Sequence, residues 1–426
     1  MAHQMGEREA GVLRPWLVWG LCANFFLYAY FQRVAPSVMI SELMRDFSVS
    51  GAILGNLSAF YFYAYAAIQL PVGVLLDRFG PRRVLSAALL LSGLGSLLFA
   101  TAEALPLAYF GRLLIGAGVG FALVGTLKVA AVWFPPNRFA LLTGLTIMLG
   151  MVGAVGAQAP LALVVDAVGW RGTMMGAAAV AVIGVPLIWF AVREGAEPEP
   201  QVAPAPDIGF MRSVRLVATT PQTWMCSVYS MTSWASMIAF TGLWGVPYMM
   251  EAHGLARPAA ALSMSLTLIG FAIGGPLFGW LSDHMERRRT PMLIGAVGVL
   301  TTFWLIVYGP GVPLWAINVL LFVLGVFQGG SLLAFATARE HNLPGADGMT
   351  LGFVNTISVA SGAIFQPLVG WILDLNWDGR MEAGVHIYSA DAYRTAFLAI
   401  IAGTTAALVM GFLVRETFCR QVREAD

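Results

Sequence analysis

The sequence predicts an all-α membrane protein: twelve transmembrane helices in two pseudo-symmetric six-helix bundles. Three observations predict it. Of the 426 residues, 58% are hydrophobic and only 11% are charged, against roughly 25% charged in a soluble domain. Long runs contain no Asp, Glu, Lys or Arg, and about 20 apolar residues suffice for a helix to cross a bilayer. The second half of the chain also repeats landmarks of the first at a nearly constant spacing.

The charge-free runs are 16–32, 47–76, 84–102, 139–165, 172–192, 216–250, 258–282, 348–373 and 395–414. The stretch 104–137 is broken only by Arg112 and Lys128 and reads as another span. The run 290–338 is too long for one helix, and Gly309-Pro310-Gly311 is a turn signal that divides it. Residues 33–46 extend the first helix or form its outer loop. The sum is twelve spans. No small-residue cleavage site follows the first apolar run, so it reads as a retained helix. Trp244-Gly-Val-Pro247-Tyr248 predicts a kink with an aromatic belt near the end of span 7.

An even span number puts both termini on one side. Arg8, Arg14, Arg78, Arg82, Arg83, Arg138, Arg193, Arg212, Arg215, Arg287, Arg288, Arg289, Arg339, Arg415, Arg420 and Arg423 fall on that side. The opposite side has a thin scatter: Arg45, Arg171, Arg257, Arg380 and Arg394. The positive-inside rule therefore makes the termini cytoplasmic, in an inner or plasma membrane. A net charge of +1 with no basic domain disfavours nucleic-acid binding. Cys22, Cys226 and Cys419 match no zinc or disulfide spacing. With no nucleophile, base or metal cluster in view, the sequence supports no enzyme, no metal site and no cofactor.

Gly73-Val-Leu-Leu-Asp77 with Arg82-Arg83 recurs as Gly279-Trp-Leu-Ser-Asp283 with Arg288-Arg289, an offset of 206. Gly144, Gln158 and Asp166 recur as Gly352, Gln366 and Asp374 at 208, and Val192-Arg193-Glu194 as Val414-Arg415-Glu416. The larger last offset fits an insertion around 378–391. Residues 1–193 thus form one six-helix bundle and 221–426 the second with a short tail. Residues 194–220, holding Glu197, Pro198, Glu199, Pro200, Pro204 and Pro206, form a cytoplasmic linker. Parallel six-span halves with a site at their interface are a transporter architecture.

Gly73 through Arg83, with Gly80 at its turn, resembles the loop signature between spans 2 and 3 of the major facilitator superfamily, and Gly279–Arg289 resembles its degraded second copy. Arg112-Leu-Leu-Ile-Gly116 resembles the fourth-span motif, and Trp133-Phe-Pro-Pro-Asn-Arg138 the loop after it. Tyr30-Phe-Gln-Arg33, with Ala59-Phe60 through Tyr65, Gln69 and Gly73, is similar to the organic-anion and organophosphate branches. The resemblance implies conformational gating by Asp77, Arg78, Gly80, Arg82, Arg83, Asp283, Arg288 and Arg112. It places Asp77 at the start of span 11, near Gly348, and Asp283 at the start of span 5. A loop carboxylate at such a place accepts from the exposed N–H groups of a helix start. Glu286 replaces Gly80 in the second copy, so that turn must differ.

Two cations stand at membrane depth, where a charge costs at least ~2.5 kcal/mol by insertion scales and is normally functional. Arg33 is either a snorkelling arginine or, as the resemblance implies, a substrate-binding one. Lys128, the only lysine, is a cavity residue, a snorkel or the partner of a loop acid. The small residues on its helical face suit close packing or an open cavity. No acid lies in the middle third of any span; Gln32 and Val119 occupy places where proton-coupled relatives carry one. Two fixed positive charges without a buried acid attract an anion. Tyr61, Tyr65, Tyr229, Trp234, Gln328 and Asn355 complete the candidate substrate site. The expectation is a monomeric secondary or facilitated transporter of a small organic anion in the lipid bilayer, working by alternating access as a uniporter, by exchange for a counter-anion or with a coupled proton. The alternatives are an efflux pump for amphipathic compounds and a transport-inactive membrane sensor.

Overall fold

The computed structural model describes residues 2–69, 71–135, 138–192 and 210–422. The landmarks Arg193 and Glu194 and most of the linker lie outside the described residues; its last part is the helix Phe210–Thr219. Among the described residues nine helices are long and apolar enough to cross a membrane. They are Gly51–Gln69, Val72–Thr101, Leu105–Trp133, Ala159–Ala191, Arg257–His284, Arg289–Tyr308, Leu314–Glu340, Asp347–Leu375 and Ala390–Leu413. Ala2–Val34, Phe139–Gly156 and the stretch from Pro221 to His253 are helical as well. A short irregular turn and the helix Ile40–Phe47 follow Val34. The fold is an all-α membrane protein.

Where helices break, the sequence supplies the cause. Two helices meet across Gly80 (φ 74°, ψ 156°) within Val72–Thr101, and two meet across Gly169 (φ 73°, ψ 163°) within Ala159–Ala191. Only glycine takes such a backbone at no steric cost. The second loop copy does differ: four residues separate His284 from Arg289, with Glu286 at φ 49°. Gly309-Pro310-Gly311 ends Arg289–Tyr308 as its composition predicts, with Gly311 at φ 65°. The proline region of span 7 follows a π-helix, Ser236–Trp244. Pro247 has no N–H to give the preceding turn, and a widened turn accommodates that loss. The helix thus changes from π to α beside Pro247, but the aromatic belt is not there. Trp244 and Tyr248 are fully buried, and Tyr248 packs among Phe240, Tyr393 and Phe397. Those side chains face protein because span 7 is an inner helix.

The outer surface is apolar. Trp315, Phe190, Leu17 and Trp280 are each more than 60% exposed. Such a surface is a liability in water and suits lipid. Inside, small residues let backbones touch. A Cβ on Gly116 would stand 2.1 Å from the carbonyl oxygen of Tyr61, so the small residues of span 4 serve close packing. The same device joins Gly51–Gln69 to Asp347–Leu375. A Cβ on Gly55 would lie 2.5 Å from the Gln366 carbonyl oxygen, and one on Gly370 2.2 Å from that of Gly51. The insertion around 378–391 forms a small hairpin, Met381–Glu382 against Val385–His386.

Candidate functional site

Arg33 ends the last turn of the first helix and is only 8% exposed. Its guanidinium carbon lies 4.5 Å from the ring centre of Tyr30, 5.1 Å from Tyr65, 5.9 Å from Tyr61 and 6.0 Å from Phe62. Tyr61 and Tyr65 are one helical turn apart and stack at 6.0 Å. Negative ring faces attract the cation by about 0.5–2 kcal/mol each but supply no counter-charge. The Arg33 Nε has no hydrogen-bond partner among the described residues, and none of the carboxylates in ion pairs there pairs with it. Arg33 opens on a central cavity of about 30 Å³ together with Tyr30, Phe62, Trp234, Phe271 and Gln366. The walls come from both halves of the chain.

The other expected site residues divide. Tyr61 and Tyr65 hold Arg33, and Trp234 lines the cavity while donating its indole N–H to Ser331 Oγ at 2.9 Å. Tyr229 does not reach it: fully buried, it donates to the Met292 carbonyl at 2.7 Å and packs in a separate cluster with Cys226 and Phe278. Gln328 ties two helices together, donating to the Ser233 carbonyl and accepting from Ser236. Asn355 donates to Gln69 Oε1 at 2.9 Å and lines a different cavity. Lys128 does not share a cavity with Arg33. Its Nζ lies 2.6 Å from Asp77 Oδ1 and 2.8 Å from the Leu76 carbonyl. The ion pair with a loop acid is what the structure contains, because the side chain reaches the carboxylate at the end of the neighbouring helix.

Arg112 lies in the fourth span, within the helix Leu105–Val119. It is 1% exposed, its Nη1 donates to the Gln32 carbonyl at 3.0 Å, and it lies 5.1 Å over the Tyr61 ring. Gln32 also donates to Tyr28 at 2.7 Å and Ser96 at 2.8 Å. The second cation near Arg33's tyrosines is thus Arg112 rather than Lys128. Arg78 stacks over Phe79, and Arg82 over Trp189 at 4.4 Å.

The arginine-rich face is parted between the halves. Asp77 and Gly348 line one cavity of about 540 Å³ with Val124, Leu127 and Asn355, and the Asp77 carboxylate, 79% exposed, holds Lys128 rather than the helix start beyond it. Asp283 accepts from Arg288 at 2.8 Å within its own loop, where Arg288 also grips Glu340 at 2.9 Å. Among the described residues neither loop acid bonds to the opposite half.

The opposite face is fastened. Asp374 accepts from the backbone N–H of Gly51 and Ala52, both at 2.9 Å, and from the Tyr388 hydroxyl. Burial and the adjacent Asp374 carboxylate push the Tyr388 phenol above its ordinary range, so it stays a neutral donor. Arg257 bridges Glu42 at 2.6 Å and Asp166 at 3.3 Å. Burial tends to raise the Asp46 carboxyl, but Trp170 and Arg171 donate to it and hold it below the ordinary range. Asp166 and Asp374 were visible in the sequence as a repeat pair without a role. Gln158 and Gln366 were too. Both are fully buried and donate to the π-helix, to Thr241 and Ile238.

Residues 21–246 and 226–423 each match the model of the Major Facilitator Superfamily. A probable sulfoacetate transporter of Cupriavidus necator is 25% identical over 292 residues, covering 66% of this chain and 67% of that protein. The membrane sensor protein UhpC of Escherichia coli is 24% identical over 417 residues, 91% of this chain and 90% of its own. A bacterial homolog of the human lysosomal transporter Spinster, crystallised inward-facing and unoccupied, superposes with a TM-score of 0.77 over 94% of this chain and 97% of that one, at 16% identity. That likeness concerns the fold.

Proposed function

The chain belongs to the Major Facilitator Superfamily, and from that premise we propose that it is a monomeric transporter of a small organic anion, working by alternating access. Transport in general is what the named relatives support, and a multi-pass membrane protein is what the helices support. The nine long helices together with Ala2–Val34, Phe139–Gly156 and the stretch Pro221 to His253 give twelve spans, in two bundles, 1–193 and 221–426, related by the offsets near 206–208. The arginine-rich face is the cytoplasmic one, and the membrane is the inner or plasma membrane.

One observation carries the anion reading: Arg33 is buried beside the central cavity among tyrosines, with its Nε unpartnered. A planar guanidinium suits a bidentate carboxylate or phosphate contact. The substrate then supplies the charge that the protein withholds. Asp77, Arg78, Gly80, Arg82, Arg83, Asp283 and Arg288 would act in switching rather than binding, Lys128 with them through its bond to Asp77. Driving force would come from a counter-anion or from a proton. The same buried cation argues against efflux of cationic amphipathic compounds.

The test is ligand-dependent thermal stabilisation of the purified protein with acidic, neutral and basic metabolites, followed by uptake into proteoliposomes. Anions are expected to stabilise natural protein and to lose the effect in Arg33→Lys, which keeps charge and loses the bidentate fork. Stabilisation by neutral or cationic compounds alone sinks the reading. A second reading rests on the alignment with a protein named as a membrane sensor over 91% of this chain. It predicts anion binding without uptake in the same liposomes.

A further inference from the structure

The polar groups near the central cavity are mostly engaged with one another. The indole N–H of Trp234 goes to Ser331, and Gln328 bonds to Ser233 and Ser236. Among the described residues, two buried polar atoms of the cavity lining lack a partner: Nε of Arg33 and Oε1 of Gln366. The rest of the wall is apolar: Phe62, Met151, Met237, Leu268 and Phe271 among it. A ligand with several hydroxyls would have to bury them against these side chains, and each unmet hydroxyl costs roughly 1–3 kcal/mol. A second anionic group would need a second free cation. Lys128 is held by Asp77, and Arg112 is not a lining residue.

Resting on the anion reading above, we infer that the carried substrate is a monocarboxylate with an apolar body, such as an aromatic ring, rather than a sugar phosphate or a polycarboxylate. Its carboxylate sits on Arg33. Its body lies against Phe62, Met151 and Phe271, where the flexible thioether fits an aromatic edge. Gln366 offers one acceptor, enough for a single ring hydroxyl. The cavity holds about one water-sized group in this conformation. The body therefore enters when the halves move, from the 540 Å³ cavity on the arginine-rich face.

The experiment measures binding of benzoate, benzamide, acetate, malate and glucose 6-phosphate to the full-length protein by calorimetry, with entry of labelled benzoate into proteoliposomes as the second readout. Benzoate is expected to bind at least tenfold tighter than acetate, malate or glucose 6-phosphate, and benzamide not at all. Phe271→Ala is expected to narrow the gap between benzoate and acetate about tenfold, the scale of a lost apolar contact. If glucose 6-phosphate or malate binds and benzoate does not, the substrate class is overturned while the anion reading stands. If benzamide binds as well as benzoate, the anion reading itself falls. The ligand series on the unaltered protein decides between these outcomes even if the Phe271 variant does not fold.

Discussion

The two ends of Gly51–Gln69 use the same chemistry in opposite states. At its start, Asp374 accepts two backbone N–H groups from the facing half, with Tyr388 beside it and Arg257 bridging Glu42 and Asp166 nearby. Beyond its other end, Asp77 is an equivalent carboxylate next to an equivalent helix start at Gly348, yet a cavity of about 540 Å³ lies between them and the charge is taken by Lys128. A loop acid therefore has two partners available, one across the halves and one within its own. On the proposed alternating-access mechanism, which one it holds reports which face is shut. Of the five arginines of the fastened face, Arg257 pairs across the halves, with Glu42 and Asp166, while Arg45, Arg171, Arg380 and Arg394 pair with carboxylates of their own half.

The strongest way to break the comparison is steric. Gly370→Leu places a side chain where even a Cβ would stand 2.2 Å from the Gly51 carbonyl oxygen. Overpacking of this kind costs about 1–3 kcal/mol, charged entirely to the conformation with that face shut. Spin labels at positions 50 and 378 should show a shift to longer distances. An unchanged distribution would mean the contact is not a closing contact.

Asp374→Asn keeps an acceptor and removes the charge from a helix start, a loss of about 1 kcal/mol. The same label pair should show a smaller shift in the same direction, roughly fivefold in population. Asp77→Asn should leave substrate affinity unaltered and slow or bias the switch. Abolished binding with an unchanged distribution would contradict its placement.

Lys128→Ala acts on the parted face. The pair with Asp77 is largely exposed on the acid's side, so folding stability should change by no more than about 1 kcal/mol. Freeing Asp77 for the helix start near Gly348 should favour the shut state of that face. Lys128→Arg should change the distribution less, because the charge is kept. Lys128 placed at the substrate would instead alter affinity in both variants.

The smallest effect is a pH dependence. Asp46 has a folded pKa held below its unfolded value by Trp170 and Arg171. Its contribution is therefore present above the unfolded pKa, about 3.9, and lost as pH falls through the lower folded one. Thermal melts of natural protein should drop more steeply below about pH 4 than those of Asp46→Asn.

Much of this could be read in the residues. Charge-free runs pointed to the helical membrane fold, since an unbonded backbone in lipid leaves only helices and closed barrels, and runs of about 20 residues suit the helix. Gly309-Pro310-Gly311 ended a helix where turn chemistry requires it. Arg33 stood out because an arginine so far along an apolar helix needs a reason. These are local properties, fixed by composition and by the neighbours along the chain. Tertiary structure alone decided the rest. Lys128 lies 51 residues from Asp77, and only the packing of two helices brings Nζ to 2.6 Å from that carboxylate. Tyr229 and Tyr61 look alike in sequence, yet one faces Met292 and the other Arg33, because helix rotation sets the side on which each phenol is buried. Asp374 and Asp77 differ in partner for the same reason. A helix start offers its N–H groups to whatever carboxylate the closing of the halves delivers, and no periodicity along the chain records which face has closed.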